Sequence, residues 1–280
     1  MTDDLAGSVA VITGAASGIG QALAHRCARE SMHIVISDVE TGALADVESE
    51  LVATGVEVLA IPTDVSNADA VEELARRTFE RFGAVHRLFL NAGVFQAGVS
   101  WLRSEADWEW VLGVNLWGPI NGVCAFIPRM LNQNAPARVV ITSSLAGLTT
   151  VAYSSPYVVS KFGAAALAEC LAHDLAAEGA QIEVSCLVPG LVATQIASSD
   201  RNRPEGMGDA AASDHVSIAA ALNEMVEKGA NSAASVADTV FAAVAAGDFW
   251  IPTSDSFEGI VTQRYEALKN KSRSGSVGFD

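Results

Sequence analysis

The sequence has little of what marks a disulfide-bonded or metal-binding protein. Its four cysteines, Cys27, Cys124, Cys170 and Cys186, lie far apart in apolar stretches and form no C-x-x-C pair. We therefore expect buried, reduced thiols and no disulfide framework. The five histidines have no metal-ligand spacing either, so no metal site is predicted.

Positive charge and long apolar runs are also scarce. Lys and Arg number 17 against 33 Asp and Glu, which gives a formal net charge of −16. A surface of that sign repels nucleic acid and anionic lipid. No apolar run reaches the roughly 18 residues of a membrane helix, and acidic residues stand at the N-terminus, where a secretory signal would be basic. We therefore expect a cytoplasmic protein with neither nucleic acid nor membrane as a partner.

What is present is an alternation of short β-branched runs and segments with helical spacing. The predicted strands span 8–13, 33–38, 56–62, 85–93, 137–144, 181–190 and 249–252. The predicted helices span 18–30, 41–54, 67–83, 105–132 and 156–178. Such alternation indicates right-handed crossovers and a parallel sheet. The sequence therefore predicts one α/β domain over residues 1–280, with a Rossmann-like, doubly wound parallel sheet of about seven strands and helices on both faces.

The alternation breaks down towards the C-terminus. Residues 195–213 are rich in small and polar residues, Gly and Pro, which is typical of a long functional loop. We predict a substrate lid within the variable region 192–234, including a helix that Ser213 or Asp214 begins and that presents Leu222, Met225 and Val226 on one face. Another helix is predicted to start at Ser235, and a flexible tail to span 270–280.

A glycine-rich turn, Thr13 to Gly20 (TGAASGIG), joins the first predicted strand to the first helix. Gly14 allows a tight turn, while Gly18 and Gly20 allow the backbone to approach a pyrophosphate and the helix to pack on the sheet. The helix N-terminus adds free N–H groups and a partial positive charge. The turn therefore predicts a dinucleotide site.

Asp38 ends the second predicted strand, where a carboxylate can accept hydrogen bonds from both hydroxyls of the adenosine ribose. The same charge would repel the 2′-phosphate of NADP. No Arg or Lys occurs in the glycine turn or directly after Asp38, so the predicted cofactor is NAD. The alternative is that Asp38 only caps its loop.

Further motifs follow in a fixed order: Asp64, Asn91–Gly93, Asn115, Ser144, Tyr157-x-x-x-Lys161 and Pro189–Thr194. With Thr13–Gly20, this ordered set over residues 8 to about 195 resembles the classical short-chain dehydrogenase/reductase family. One departure is Leu90, where the family more often has Asn. The resemblance implies a cofactor site made of Gly14, Ser17, Gly18, Ile19, Gly20, Asp38, Asp64, Val65, Asn91, Ala92, Gly93, Tyr157, Lys161, Pro189, Gly190, Val192 and Thr194.

The residues around Tyr157 predict a general acid/base. Pro156 favours a helix start, with Ser154 or Ser155 as the N-cap, so that Lys161 lies one turn after Tyr157 on the same face. A neighbouring ammonium is expected to lower the pKa of the phenol. Tyr153 precedes the helix and has no such lysine.

The resemblance implies the remaining catalytic roles. Ser144 would position the substrate oxygen, although the adjacent Ser143 stays an alternative that family spacing disfavours. Lys161 would also bind the nicotinamide ribose, and Asn115 would take part in a proton relay. Val192 and Thr194 would hold the carboxamide. Family members are usually tetramers paired through helices 105–132 and 156–178, so a homotetramer is expected, with a dimer as the alternative.

The sequence thus predicts an NAD-dependent oxidoreductase that interconverts a secondary alcohol and a ketone. The acidic composition and the small-residue lid favour a neutral, apolar substrate. Two alternatives are an NADPH-dependent carbonyl or oxoacyl reductase, which Asp38 disfavours, and a non-catalytic dinucleotide sensor. The sensor is disfavoured because both Tyr157 and Lys161 are present.

Overall fold

A computed structural model of the chain describes residues 5–204, 207, 216–222, 224 and 230–274. Its strands are β1 (Val9–Thr13), β2 (His33–Asp38), β3 (Val58–Pro62), β4 (Arg87–Leu90), β5 (Ala137–Thr142), β6 (Ile182–Val188), β7 (Val192–Ala193), β8 (Asn231–Ser232) and β9 (Trp250–Pro252). Seven of them form one parallel sheet in the order β3-β2-β1-β4-β5-β6-β9. The short strands β7 and β8 pair separately.

All helices but the last lie between strands in the sequence, and together the helices cover both faces of the sheet. They are α1 (Gly18–Arg29), α2 (Thr41–Val52), α3 (Ala68–Phe82), α4 (Glu105–Leu112), α5 (Gly118–Asn132), α6 (Ser155–Ala177), α7 (Ala233–Ala246) and α8 (Phe257–Lys269). A π-helical turn, Gly113–Trp117, joins α4 to α5. Residues 216–222 and 224 are helical as well.

Alternate residues of the strands feed two separate hydrophobic clusters. On β1, Val11 packs with the buried faces of α3, α5 and α6. Its neighbours Ala10 and Ile12 pack on the other side with α1, α2 and α7. Strands buried on both faces are the rule in parallel sheets. The predicted doubly wound α/β fold with about seven strands is therefore confirmed.

The long helical stretch Glu105–Asn132 is apolar enough to span a membrane by length and composition alone, and 56% of its most apolar window is buried inside the protein. Within this stretch, α5 packs against α3 and α4 packs against α6. This burial is the pattern of a core helix.

The variable region differs in part from the sequence prediction. Helix α7 begins at Ala233 and not at Ser235, because Ser232 is its N-cap and its hydroxyl accepts a hydrogen bond from the Ser235 amide at 3.0 Å. A side-chain oxygen at the N-cap satisfies an amide that the helix leaves free. Residues 213, 214, 225 and 226, on which the predicted lid helix depended, and residues 275–280 of the predicted tail lie outside the described residues.

The order of the strands reverses beside β1, because β2 and β3 lie on one side of it and β4, β5, β6 and β9 lie on the other. Ligands of open α/β sheets bind at such a switch point, outside the carboxyl ends of the strands. The loops after β1, β2, β4 and β5 meet there, and they carry the residues that the motifs predict.

Candidate active site

A cavity of about 460 Å³ lies at the carboxyl ends of the central strands. Most of the predicted site residues line it, from the glycine turn and Asp38 to Ser144, Tyr157 and Thr194. Gly20, Asn115 and Lys161 do not line the cavity. They lie behind its wall, where they contact residues that line the cavity: Gly20 lies against Gly14, Asn115 bonds to Val94, and Lys161 bonds to Thr142. The structure thus brings the separate motifs into one cleft.

The glycine turn is shaped by close approaches of the backbone. Gly14 has φ +69°, and a Cβ atom there would lie 2.7 Å from Cα of Ala92. A Cβ atom at Gly20 would lie 2.0 Å from the Gly14 carbonyl oxygen. Ser17 is the N-cap of α1, and its own side chain makes no capping hydrogen bond. The first amides of α1 are therefore free to bind an anion in the cavity.

Asp38 is held at the mouth of the cavity by backbone amides on two sides. Its Oδ2 accepts a hydrogen bond from the Ala16 amide at 3.0 Å, and its Oδ1 accepts one from the Glu40 amide at 3.1 Å. These bonds fix the orientation of the carboxylate, and its remaining lone pairs can accept from ribose hydroxyls. The loop-cap alternative and the ribose role are thus compatible for this residue.

Asn91 joins three strands beside the glycine turn. Its Nδ2 donates to the Thr13 carbonyl at 3.1 Å, and its Oδ1 accepts from the Thr142 hydroxyl at 3.3 Å. Its backbone amide donates to the Thr13 hydroxyl at 2.9 Å. The side chain of Asn91 therefore fixes the carboxyl ends of β1, β4 and β5 in register, and its backbone forms part of the wall.

Asn115 lies in the π-helical turn between α4 and α5 and is fully buried. Its Oδ1 accepts from the Val94 amide at 2.8 Å, while its Nδ2 donates to the Val94 carbonyl at 2.9 Å and to the Ser160 hydroxyl at 3.0 Å. The prediction of one uninterrupted helix missed this turn, which is a common feature of functional sites. Asn115 ties the wall after β4 to α6; its relay role stays a prediction.

Tyr157 and Lys161 lie one turn apart at the start of α6, with Pro156 in the first turn as predicted. Ser154 occupies the N-cap position but makes no side-chain capping bond. Lys161 is buried, its Nζ donates to the Thr142 carbonyl at 3.0 Å, and it lies 5.7 Å from the centre of the Tyr157 ring. Burial lowers the pKa of Lys161 to about 8.

The expected lowering of the Tyr157 pKa by Lys161 is not found. Burial raises the pKa of the phenol above its usual value, and the hydrogen bond with Ser144 opposes this rise. Loss of solvation disfavours the phenolate, and the Lys161 ammonium is directed at a strand carbonyl. Phe95 adds to the burial, since its ring lies edge-on to the Tyr157 ring with centroids 5.2 Å apart.

The two adjacent serines after β5 have different surroundings. The Ser143 hydroxyl is buried and donates to the Lys161 carbonyl at 2.8 Å, so it is used in holding α6. The Ser144 hydroxyl faces Tyr157 and accepts from the Ala146 amide at 3.1 Å. Only Ser144 is therefore placed beside the phenol.

Tyr153 has a different position from Tyr157. It is 53% exposed, its backbone has φ +59°, and its carbonyl accepts from the Gly98 amide at 2.7 Å. A positive φ is uncommon for a residue other than glycine. Tyr153 does not line the described cavity.

A short 3₁₀ segment, Ile196–Asn202, covers the cavity and belongs to the predicted lid region. Ser199 holds it on one side, because its hydroxyl accepts from the Phe95 amide at 3.0 Å. Just after the segment, Arg203 forms a nearly buried ion pair with Asp107 and donates to Gln96 at 3.0 Å. The predicted lid residues 196–203 are thus packed over the cleft in this structure.

The sequence prediction missed Glu40, Arg201 and Asn202. Glu40 accepts hydrogen bonds from Arg201 Nε at 3.0 Å and from Asn202 Nδ2 at 2.8 Å. These three residues line the cavity beside Asp38. No sequence pattern connects these residues, because Glu40 lies 161 positions before Arg201 in the chain. Within the described part of the chain, no group of three His, Cys, Asp or Glu residues could hold a metal ion.

Comparison with known proteins identifies a family for the chain. A family model described as short chain dehydrogenase matches residues 8–205. The chain is 37% identical over 203 residues to 1-deoxy-11-beta-hydroxypentalenate dehydrogenase of Streptomyces arenae, with 71% of this chain and 72% of that protein covered.

Solved structures are similar as well. A short-chain dehydrogenase/reductase from Burkholderia phymatum in complex with NAD is 40% identical, with 98% of both chains covered and a TM-score of 0.94. An alcohol dehydrogenase from the archaeon Thermococcus sibiricus, complexed with 5-hydroxy-NADP, is 27% identical, with 85% of this chain and 90% of that chain covered and a TM-score of 0.70. Proteins of this shape thus include one solved with NAD and one solved with an NADP derivative.

Proposed function

This chain belongs to the short-chain dehydrogenase family and is an oxidoreductase, and from that premise we propose that it interconverts a secondary alcohol and a ketone with NAD as the cofactor. The observation that carries the proposal is the position of Tyr157. Its phenol is hydrogen-bonded to Ser144 at one end of the cleft whose other end holds the glycine turn and Asp38.

The residues of the cleft fit a dinucleotide. The glycine turn leaves bare backbone where a Cβ atom at Gly14 or Gly18 would collide with Ala92 or Thr194. The free amides of α1 would hold the pyrophosphate, and Asp38 would accept from the adenosine ribose. The wall at Pro189–Thr194 would hold the nicotinamide end, and Lys161, which donates to the Thr142 carbonyl behind the wall, would have to turn from that carbonyl to bind the nicotinamide ribose. When bound, the cofactor would supply the hydride acceptor or donor.

The proton chemistry falls to the chain itself. Ser144 would hold the substrate oxygen by a hydrogen bond, and Tyr157 would take the hydroxyl proton of an alcohol or return a proton to a carbonyl. Asn115 would fix the geometry of the wall through its bonds to Val94 and Ser160. Since burial raises the pKa of Tyr157, the phenolate needed for oxidation is favoured at alkaline pH, and the phenol needed for reduction is favoured at neutral pH.

A neutral substrate is supported by the charges in the cavity. Arg201 is the one cationic side chain among its described lining residues, and that side chain is paired with Glu40. An anionic substrate would therefore find no unpaired cation along the described wall. Trp110, Val94 and Val114 line the cavity as well, and such apolar walls favour an apolar alcohol.

A second candidate, an NADPH-dependent carbonyl or oxoacyl reductase, is favoured by a single observation. Arg201 lines the same cavity as Asp38, and a cation near the adenosine ribose is what a 2′-phosphate requires. The dehydrogenase is preferred because Asp38 is directed by two amides and because the guanidinium of Arg201 is already paired. The sensor alternative would leave Tyr157 and Lys161 without a use.

A panel of neutral secondary alcohols, followed by nicotinamide absorbance, tests the proposal. Cyclic, aryl and steroid-like alcohols should be oxidised with NAD, and more slowly with NADP. The rate should rise with pH, because the fraction of Tyr157 phenolate rises. No turnover of any alcohol with either cofactor, despite measured NADH binding, would favour the sensor. Faster turnover with NADP would favour the reductase.

We also propose that the protein is a homotetramer paired through the helices around α5 and α6. Trp117, Cys124 and Leu131 recur at seven-residue spacing and are exposed along one side of this helical stretch. Val159 and Cys170 are exposed on α6. The expectation that all four cysteines are buried is therefore wrong for Cys124 and Cys170. Exposed apolar residues aligned along two neighbouring helices are typical of surfaces that are covered in an assembly.

Light scattering coupled to gel filtration checks this proposal. The wild-type chain should elute with the mass of four copies, and Trp117→Arg should reduce that mass to two copies or one, because a charge would be buried at the interface. Trp101→Arg is the matched control, since Trp101 is 85% exposed outside α5 and α6. A wild-type monomer, or equal dissociation by both variants, would contradict the proposed interface.

A further inference from the structure

Arg201 lines the cleft but has no role in the proposed reaction. It reaches the mouth of the cavity from the 3₁₀ segment, 161 positions after its partner Glu40. Its side chain is 31% exposed and that of Glu40 is 26% exposed. The pair is therefore partly desolvated, and its charges are screened less than those of a surface ion pair.

The guanidinium of Arg201 is used on both of its edges. On the inner edge, Nη1 donates to the carbonyls of Gln195 at 3.0 Å and Ser198 at 2.9 Å. On the outer edge, Nε and Nη2 lie 3.0 Å and 2.8 Å from Oε1 of Glu40. The two inner acceptors are the N-cap residue of the 3₁₀ segment and a residue within it, so these bonds hold the guanidinium in place whether or not Glu40 is present.

An outer edge of this kind is the donor arrangement that binds phosphate. The parallel N–H groups of an Arg edge match two oxygens of a carboxylate or of a phosphate equally well. Here the carboxylate of Glu40 fills that edge, and Asn202 donates to the same oxygen at 2.8 Å. Arg201 raises the acidity of Glu40, since the pKa of this carboxyl is lowered despite the opposing effect of burial.

The pair stands next to the position of the adenosine ribose. Glu40 follows Asp38 by two residues, and its amide donates to Oδ1 of Asp38 at 3.1 Å. Asp38, Glu40 and Arg201 line the same cavity and carry a net charge of −1. Removal of Glu40 would make the group neutral, and removal of both acids would leave +1 beside the 2′ position.

We propose that Glu40 is a specificity-determining residue for the cofactor, because it occupies the phosphate-binding edge of Arg201 and thereby denies that edge to the 2′-phosphate of NADP(H). The preference for NAD(H) then depends on Glu40 as well as on Asp38. This inference rests on the proposed function only in placing a dinucleotide in the cleft. Under this proposal, Arg201 has the donor geometry to bind a phosphate, but the carboxylate of Glu40 occupies those donors.

The test is the ratio of the Kd for NADPH to the Kd for NADH, measured by nucleotide fluorescence with each purified variant. Glu40→Ala should lower this ratio by at least about tenfold, which is ~1.4 kcal/mol, since a charge-assisted hydrogen bond becomes available to the phosphate. Asp38→Ala should lower it by a similar factor by removing repulsion. The double variant should show the largest decrease.

The decisive variant combines Arg201→Ala with Glu40→Ala. It should restore the wild-type ratio, because the guanidinium that would bind the phosphate is gone. Glu72→Ala is the matched control: it breaks the exposed Glu72–Arg129 ion pair far from the cleft and changes the net charge by the same amount. Cooperative thermal unfolding at the wild-type Tm in each variant shows that the fold is intact.

The possible results distinguish a failure of the Glu40 proposal from a failure of the dinucleotide site. A lowered ratio that depends on Arg201 supports the proposal. An equal change in both Kd values for Glu40→Ala would show that the pair only holds the 3₁₀ segment, and would overturn it. A gain in NADPH affinity that survives Arg201→Ala would overturn it too. A wild-type chain that binds neither nucleotide would refute the dinucleotide site itself.

Discussion

Replacement of Tyr157 by phenylalanine should lower kcat for alcohol oxidation by roughly 10²–10⁴-fold, the usual contribution of general acid–base catalysis. The Kd for NADH should stay within about twofold, since the ring that packs against Phe95 remains and only the hydroxyl is lost. Steady-state kinetics on the best alcohol of the panel, together with NADH fluorescence, would measure both effects.

Tyr153→Phe is the control for this prediction. Tyr153 lies outside the described cavity wall and is half-exposed, so its variant should keep wild-type kcat. The wild-type rate of oxidation should increase with pH, because burial raises the pKa of Tyr157 and only the phenolate accepts the proton. That increase should be absent from the residual rate of Tyr157→Phe. Full activity of Tyr157→Phe, with loss in Tyr153→Phe, would reverse our assignment.

Gly20→Ala should abolish measurable NADH binding and destabilise the fold by about 1–3 kcal/mol or more. The new Cβ atom would lie 2.0 Å from the Gly14 carbonyl oxygen and 2.7 Å from its carbon. Both contacts are with backbone, so no side-chain rotation can relieve them, and the turn must move away from the phosphate position. Urea unfolding and NADH fluorescence would measure the two losses.

Gly42→Ala is the matched substitution for Gly20→Ala. Gly42 lies in the first turn of α2, and a Cβ atom there would meet nothing within 4 Å. Alanine is favoured over glycine in helices by about 0.5–1 kcal/mol, so this variant should be slightly more stable than wild type and should bind NADH normally. Wild-type binding by Gly20→Ala would show that the turn does not carry the phosphate.

The parts of the site that were predictable from the sequence are those built by local chemistry. Gly14, Gly18 and Gly20 mark the turn because a strand precedes them and a helix follows. Tyr157 and Lys161 share a helix face because Pro156 fixes where the helix starts. In each case neighbouring residues determine the geometry, so a short stretch of sequence is enough to predict it.

The missed parts depend on residues that only the fold brings together. Arg201 reaches Glu40 across 161 positions, and Arg203 reaches Asp107 across 96. No periodicity or spacing connects such partners. The π-helical turn at Asn115 was hidden for the same reason, since its side chain is bonded to the loop after β4, which is distant in the sequence.

The direction of the Tyr157 pKa shift also required the structure. The four-residue spacing to Lys161 was predicted, but the balance between charge and solvation was not. Burial of the Tyr157 side chain decides that balance in favour of the neutral phenol, although the hydrogen bond with Ser144 opposes it. Spacing in a sequence identifies neighbours, whereas their solvation depends on everything that packs around them.

The two outer strands of the parallel sheet share a feature with a consequence for solubility. β3 and β9 form its edges, and each ends in a proline, Pro62 and Pro252. Proline has no amide hydrogen to donate, so neither edge offers an unbroken row of donors and acceptors to a strand of another molecule. At high concentration, the sheet is thereby protected at both sides from edge-to-edge aggregation, independently of the repulsion that the acidic surface provides.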